Sequence, residues 1–222
     1  QPADRAVSWL PLYHDMGLVG FLLAPLTCQM SVDLLPTGAF VRRPLLWLDL
    51  IARNGATISY SPSFGYELCA RRVESSGGGS GLDLSRWRIA GLGGDMIRTN
   101  VPADFARAFA PAGFSPSAFV ASYGMAEATL ALSFAPLGKG LETESLDIDQ
   151  LEDERRAVTA SPGARARAFA RCGPALPGHE IQVRDEDGKP VAERAVGTVF
   201  ARGPSLMRGY YRQPEETGRV LS

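Results

Sequence analysis

The sequence predicts an α/β fold: a mainly parallel sheet with helices on both faces, followed by a small antiparallel β unit. Three observations carry that reading. Short apolar runs alternate with segments of helical period through residues 1–137, the pattern of repeated strand–helix–strand units. Glycine-bearing turns close several of the apolar runs. Near the C-terminus Glu180–Arg184 switches to two-residue alternation, which marks a half-exposed strand.

In chain order, Ala6–Leu10 reads as a short buried strand and Gly17–Met30 as an apolar, largely helical stretch in which Pro25 starts, kinks or ends a helix. Ser31–Leu35 is a second strand ending at Pro36. Arg43–Asn54 is a helix, with Leu45, Leu46, Leu48, Leu50 and Ile51 as a broad apolar face and Gly55 as its stop. Thr57–Tyr60 is a strand and Ser63–Val73 a helix carrying Phe64, Leu68 and Cys69 on one side. Ser75–Gly81 is a flexible surface loop or a linker. Trp87–Leu92 is a strand, Pro102–Ala110 a helix with Phe105, Ala108 and Phe109 at helical spacing, and Phe119–Ser122 a strand. A further element begins at Ala126–Leu132.

After Phe134 the character changes. Seven acids lie between Glu142 and Glu154 and five arginines between Arg155 and Arg171, with little periodicity. Residues 138–171 therefore read as a polar insertion between an α/β unit, 1–137, and a partial β unit, 172–222. In the latter, Asp187-Gly188 supplies a turn and Val196–Arg202 a returning strand.

Charged residues make up 21% of the 222 and net charge is −1, which gives no reason to expect a nucleic-acid partner. Cys28, Cys69 and Cys172 have apolar neighbours and no paired spacing, so they read as buried free thiols of a reducing compartment. No signal peptide or membrane-length apolar run is present, and the expected location is cytoplasmic, not membrane-spanning. The opening Gln-Pro-Ala-Asp-Arg, without Met, reads as the start of an excised piece.

Two runs hold most of the chemistry: Leu10-Pro-Leu-Tyr-His-Asp-Met-Gly-Leu18 and Ser122-Tyr-Gly-Met-Ala-Glu-Ala-Thr129. Each joins a strand-like segment to a helix-like one, where ligands of parallel sheets bind. In the second, Tyr123 offers a ring for stacking, Gly124 permits close backbone approach and Glu127 is a hard carboxylate suited to Mg²⁺. Equally, Tyr123 can be core and Glu127 a first-turn residue favoured by a helix dipole. Gly91-Leu-Gly-Gly-Asp95 is a glycine-rich turn after a strand, alone a weak signal. His14-Asp15 suggests a metal phosphohydrolase only if further ligands exist, and His179 is the only other histidine. A satisfied structural His14 is the alternative.

The order of these motifs, about a hundred residues apart, resembles the adenylate-forming superfamily, which activates carboxylic acids with ATP. Within it the chain is similar to the fatty acyl-AMP ligases. The resemblance runs nearly end to end but covers only the middle of such an enzyme's large domain. It implies that Tyr123 stacks on adenine, that Glu127 binds the Mg²⁺ of ATP, and that Gly93, Gly94, Asp95, Ser122, Gly124, Met125 and Ala126 complete the nucleotide site. Ala126 stands where many members have Thr; Asp95 and Met96 replace Glu and Pro. By the same resemblance His14 is catalytic, sitting where carboxylate, phosphate and acyl tunnel meet and donating to developing negative charge. Gly17, Phe21, Ser61, Phe64 and Met125 become acyl-binding walls, although the residues alone read equally well as core. Arg202–Tyr210 matches a family segment whose glycines are structural.

The activity so implied joins a fatty acid to the α-phosphate of ATP and hands the acyl group to an acyl carrier protein of a lipid or polyketide assembly line. Residues 134–171 match the insertion that hinders CoA-dependent thioesterification in this branch. The family's phosphate loop, ribose segment and lid lysine fall outside residues 1–222, so this piece alone is expected to be inactive. An acyl-CoA synthetase and a non-catalytic, degenerate adenylating module are the alternatives.

Overall fold

The computed structural model describes residues 3–76 and 81–221, so most of the Ser75–Gly81 run lies outside the described residues. Strands β1 (Arg5–Ser8), β2 (Ser31–Leu34), β3 (Ile58–Ser61), β4 (Ile89–Leu92), β5 (Phe119–Gly124) and β6 (Ala131–Phe134) form one sheet in the order β2-β1-β3-β4-β5-β6. The first five run parallel and β6 is antiparallel to β5. Between β1 and β2 lie α1 (Asp15–Leu18), a π-turn (Val19–Leu23) and α2 (Ala24–Cys28). The Ala24 N–H donates to the Val19 carbonyl, the wide spacing of a π-turn, and Pro25 follows at the start of α2. Pro25 therefore starts a helix.

Helices α3 (Thr37–Arg42) and α4 (Leu45–Asn54) connect β2 to β3, α5 (Ser63–Ser76) connects β3 to β4, and α6 (Asn100–Phe109) connects β4 to β5. Gly55 caps α4 in the left-handed region at φ 57°, as its position predicts. The separate α3, between Pro36 and Pro44, is absent from the sequence reading. The face of α5 also differs from expectation. Tyr66, Cys69 and Ala70 are buried, whereas Phe64 is 40% and Leu68 36% exposed. The buried stripe follows i, i+3, i+4 spacing from Tyr66. Of the three thiols only Cys69 is buried; Cys28 is exposed at the end of α2 and Cys172 is half-buried, which corrects the expectation of three buried thiols.

An aromatic layer of Trp47, Tyr66, Trp87, Phe105 and Phe119 packs against the sheet, with Tyr66 centred 5.1 Å from Phe105 and 5.4 Å from Phe119. Every polar handle in this layer is used. Trp47 Nε1 donates to Ser59 Oγ at 2.8 Å, Tyr66 Oη to the Gly91 carbonyl at 2.9 Å and Trp87 Nε1 to the Ile89 carbonyl at 2.8 Å. These bonds run into β3 and β4 and fix the frame whose carboxyl ends carry the site.

Residues 138–171 are more ordered than their composition predicts. Strands β7 (Thr143–Asp147) and β8 (Ala166–Ala170) pair antiparallel across α7 (Ile148–Asp153), with Leu146 and Ile148 buried. The hairpin folds the acidic half onto the basic half: Arg165 pairs with Asp149 and Glu152, and Glu144 takes Arg171 and Arg194 at 2.7 and 2.6 Å. Strands β9 (Glu180–Arg184) and β10 (Thr198–Arg202) form the expected antiparallel pair, followed by α8 (Pro214–Val220). No described helix is long and apolar enough to cross a membrane.

Candidate active site

Four strand ends converge on one cavity of about 670 Å³. His14, Asp15 and Met16 enter it from the turn after β1, Tyr60 from the end of β3, Gly94 from the turn after β4, and Ser122, Tyr123 and Gly124 from the end of β5. The π-turn supplies Val19, Gly20 and Phe21, and Leu130, Ala131 and Phe134 close the far side. The lining is mainly apolar, and the volume is that of a small-molecule site. Phe21 and Phe134 stand 6.3 and 6.4 Å from the Tyr60 ring, and burial pushes the Tyr60 phenol well above its usual range.

A second cavity of about 410 Å³ also borders Tyr123. It is lined by Gly94, Asp95, Met96 and Ile97 after β4 and by Arg167, Ala168, Phe169, Ala170 and Cys172 of and after β8, with Arg167 reaching Met96 at 2.6 Å. The Arg167 guanidinium lies 5.2 Å from the Phe169 ring centre. Gly94, Ser122, Tyr123 and Gly124 border both cavities. Tyr123 is 37% exposed, and partial burial raises its phenol above the ordinary value. A Cβ on Gly124 would sit 1.8 Å from the Leu130 carbonyl oxygen, so only glycine lets β6 close on β5 here.

His14 caps α1 at the cavity mouth, its Nδ1 2.6 Å from Asp15 Oδ1. The Met16 N–H lies 3.2 Å from that Nδ1 but 2.7 Å from Asp15 Oδ1, and the carboxylate is the better acceptor. The proton of a neutral ring then belongs on Nδ1, shared with Asp15. Nε2 accepts in that state and donates only from the imidazolium.

Glu127 lies beside the cavities rather than in their lining. No helix follows Gly124; a single 3-10 turn, Ala126–Ala128, leads directly into β6, so no helix dipole favours Glu127. Its Oε1 accepts a 2.6 Å hydrogen bond from the Tyr210 hydroxyl. That bond, with its own backbone N–H, holds the Glu127 carboxyl below its ordinary pKa.

The remaining positions singled out in the sequence are placed as follows. Met125 and Ala126 line the larger cavity together with Ser122 and Gly124. Asp95 borders the second cavity, and its Oδ1 lies 3.4 Å from the N–H and hydroxyl of Ser63. Gly93 is packed beneath Ser122, whose hydroxyl bonds the Leu92 carbonyl at 3.1 Å. Of the expected acyl walls, Phe21 and Met125 line the cavity; Gly17, Ser61 and Phe64 do not. Gly17 abuts the Pro11 carbonyl, Ser61 is buried with its hydroxyl on the Pro62 carbonyl, and Phe64 turns its ring to Trp9, 5.5 Å away.

An AMP-binding enzyme family profile matches residues 1–211. The chain belongs to that family. A Caulobacter vibrioides relative, provisionally named an acyl-CoA synthetase, is 67% identical over 99% of this chain and 38% of its own. A medium-chain-fatty-acid–[acyl-carrier-protein] ligase of Teredinibacter turnerae is 36% identical over 97% of this chain and 33% of its own. A solved structure from a study of fatty acyl-adenylate ligases of E. coli and L. pneumophila is 45% identical with a TM-score of 0.94, covering 99% of this chain and 40% of that one. The chain thus spans well under half the length of these relatives.

Sequence reasoning missed Tyr60, Phe134, Leu130 and Tyr210. Tyr60 had a usable signal, since an aromatic residue at the carboxyl end of a parallel strand faces the place where ligands of such AMP-binding folds sit. Tyr210 had none: it is 83 residues from Glu127 in sequence.

Proposed function

We propose that the protein to which this chain belongs activates a fatty acid as its acyl-adenylate at the expense of ATP and transfers the acyl group to a carrier protein. The carrying observation is one ring, Tyr123, shared by a large apolar cavity and a smaller, more polar one. The apolar side fits an acyl chain, with Phe21, Tyr60, Met125 and Phe134 excluding water. The other side fits a nucleotide base, with Tyr123 as stacking surface. His14, at the mouth, holds a proton toward the acyl carboxylate when it is imidazolium. Glu127, kept ionised by Tyr210, fits a magnesium ion as a hard oxygen donor. When bound, that ion supplies charge neutralisation on the phosphates. The chain's own contribution is alignment of two reactants in a dry site.

The Teredinibacter relative supports a carrier protein as acceptor. The name of the Caulobacter relative favours a second reading, in which CoA takes the acyl group. Fatty-acid-dependent ATP–pyrophosphate exchange by the full-length protein tests the adenylation step. Parallel assays with CoA and with a phosphopantetheine-bearing carrier protein decide the acceptor. No exchange with any fatty acid refutes the proposal.

A further inference from the structure

The loop carrying Glu127 is held from outside by a segment of the β unit. Thr129 has φ 69° and ψ −53°, and the Leu130 N–H reaches the Ala128 carbonyl at 2.8 Å. That is a classic-type γ-turn, a rare and strained conformation that persists only when its surroundings impose it. Residues 205–210 impose it. The Met207 N–H donates to the Glu127 carbonyl at 2.7 Å, the Ser205 hydroxyl to the Ala128 carbonyl at 3.0 Å, and the Thr129 hydroxyl to the Ser205 carbonyl at 2.7 Å. His179 Nε2 lies 2.7 Å from the Ser205 hydroxyl and adds a further contact to it. The fourth tie is the Tyr210 hydroxyl on Glu127 Oε1, and Tyr210 is itself anchored by its N–H on Thr217 Oγ1 at 2.9 Å.

Three backbone-directed bonds already secure the loop, so the phenol is not needed to fix the chain path. It acts on the carboxylate alone. We infer that Tyr210 is a positioning residue, its hydroxyl fixing the orientation of the Glu127 carboxylate for the cation that accompanies the nucleotide. The inference rests on the proposed reading of Glu127 as a cation ligand. An ionised carboxylate has about four lone-pair sites, so the phenol and one backbone N–H leave acceptor capacity for a cation.

The test is Tyr210→Phe in the full-length protein, which removes one oxygen and keeps the ring. Partners that orient a metal ligand are typically worth 10–100-fold in affinity. Calorimetric titration of ATP binding at graded Mg²⁺ should show half-saturating Mg²⁺ raised about tenfold or more. In exchange assays kcat at saturating Mg²⁺ should stay near wild type. Thr217→Val keeps the phenol but frees its backbone, and should shift Mg²⁺ dependence the same way by less. Tyr211→Phe, on the exposed neighbouring ring, should change nothing. An unchanged Mg²⁺ dependence in either folded variant overturns the inference and leaves the proposed function standing. A wild-type protein without Mg²⁺-dependent ATP binding removes both.

Discussion

Gly20 offers a direct way to measure what the larger cavity holds. It lies in the π-turn on the cavity wall, and a Cβ there would meet only Leu130 Cδ2, at an ordinary 3.5 Å. Gly20→Leu therefore has room for its first carbon and projects the rest into the space proposed for the acyl chain. Leucine adds about four carbons, displacing a similar length of substrate. At about 0.8 kcal/mol per buried methylene, the acids that reach this level lose roughly 3 kcal/mol, or about 200-fold. Acids too short to reach it lose nothing. The fold should not suffer, because leucine replaces glycine in a helical segment. The measurement is kcat/KM for adenylate formation across a series of saturated fatty acids, using the full-length protein. The expected result is a preference moved to shorter acids by about four carbons. An equal loss at every chain length, or none at any, would show that the acyl chain does not pass Gly20.

The remaining predictions concern the nucleotide side, the hairpin and the sheet edge. Tyr123→Phe should be mild and Tyr123→Ala should weaken ATP binding by roughly 1–3 kcal/mol, the range for base–aromatic stacking; equal large losses by calorimetry would implicate the hydroxyl instead. Replacing residues 149–164 by a two-residue turn joins β7 to β8 directly, at the cost of the Asp147 N–H to Val158 and Ala160 N–H to Ser145 backbone bonds. If the insertion blocks CoA, full-length protein so trimmed should form acyl-CoA while keeping adenylation, and no gain of thioester would make the segment merely structural. Asp33 on β2 is held below its ordinary pKa by Arg5, with Asn54 also donating at 2.8 Å. Its folded-state pKa is depressed, so its stabilisation is complete above the unfolded carboxylate pKa near 4 and disappears as pH falls through the lower folded value. Asp33→Asn should flatten that acid limb in urea melts, and an unaltered pH profile would discount the pair.

The strand–helix alternation was legible because its strands are short apolar runs punctuated by glycine and proline. The two motif turns were legible because imidazole, phenol and carboxylate stand out against apolar flanks. What escaped reading depends on distant partners. Residues 143–170 bury few apolar groups and are held by the β7–β8 ladder, with Glu144 meeting Arg171 and Arg194, contacts that no local period reports. On α5, Phe64 outranks Tyr66 in hydropathy. Tyr66 is nevertheless the buried ring, because the Gly91 carbonyl satisfies its hydroxyl. Gly17, Ser61 and Phe64 sit close in sequence to cavity residues, yet Gly17 abuts the Pro11 carbonyl, Ser61 bonds the Pro62 carbonyl and Phe64 packs on Trp9.

The two cavities share a wall. On the β5 side Ser122, Tyr123 and Gly124 make it up, and Gly124 cannot be thickened because β6 leaves no room for a side chain. Anything lodged on one side therefore presses on the same ring and peptide that line the other. Two occupants of such a divided space do not bind independently. Each alters the restraint on the shared wall, and by reciprocity the second feels the first to the same extent that the first feels the second.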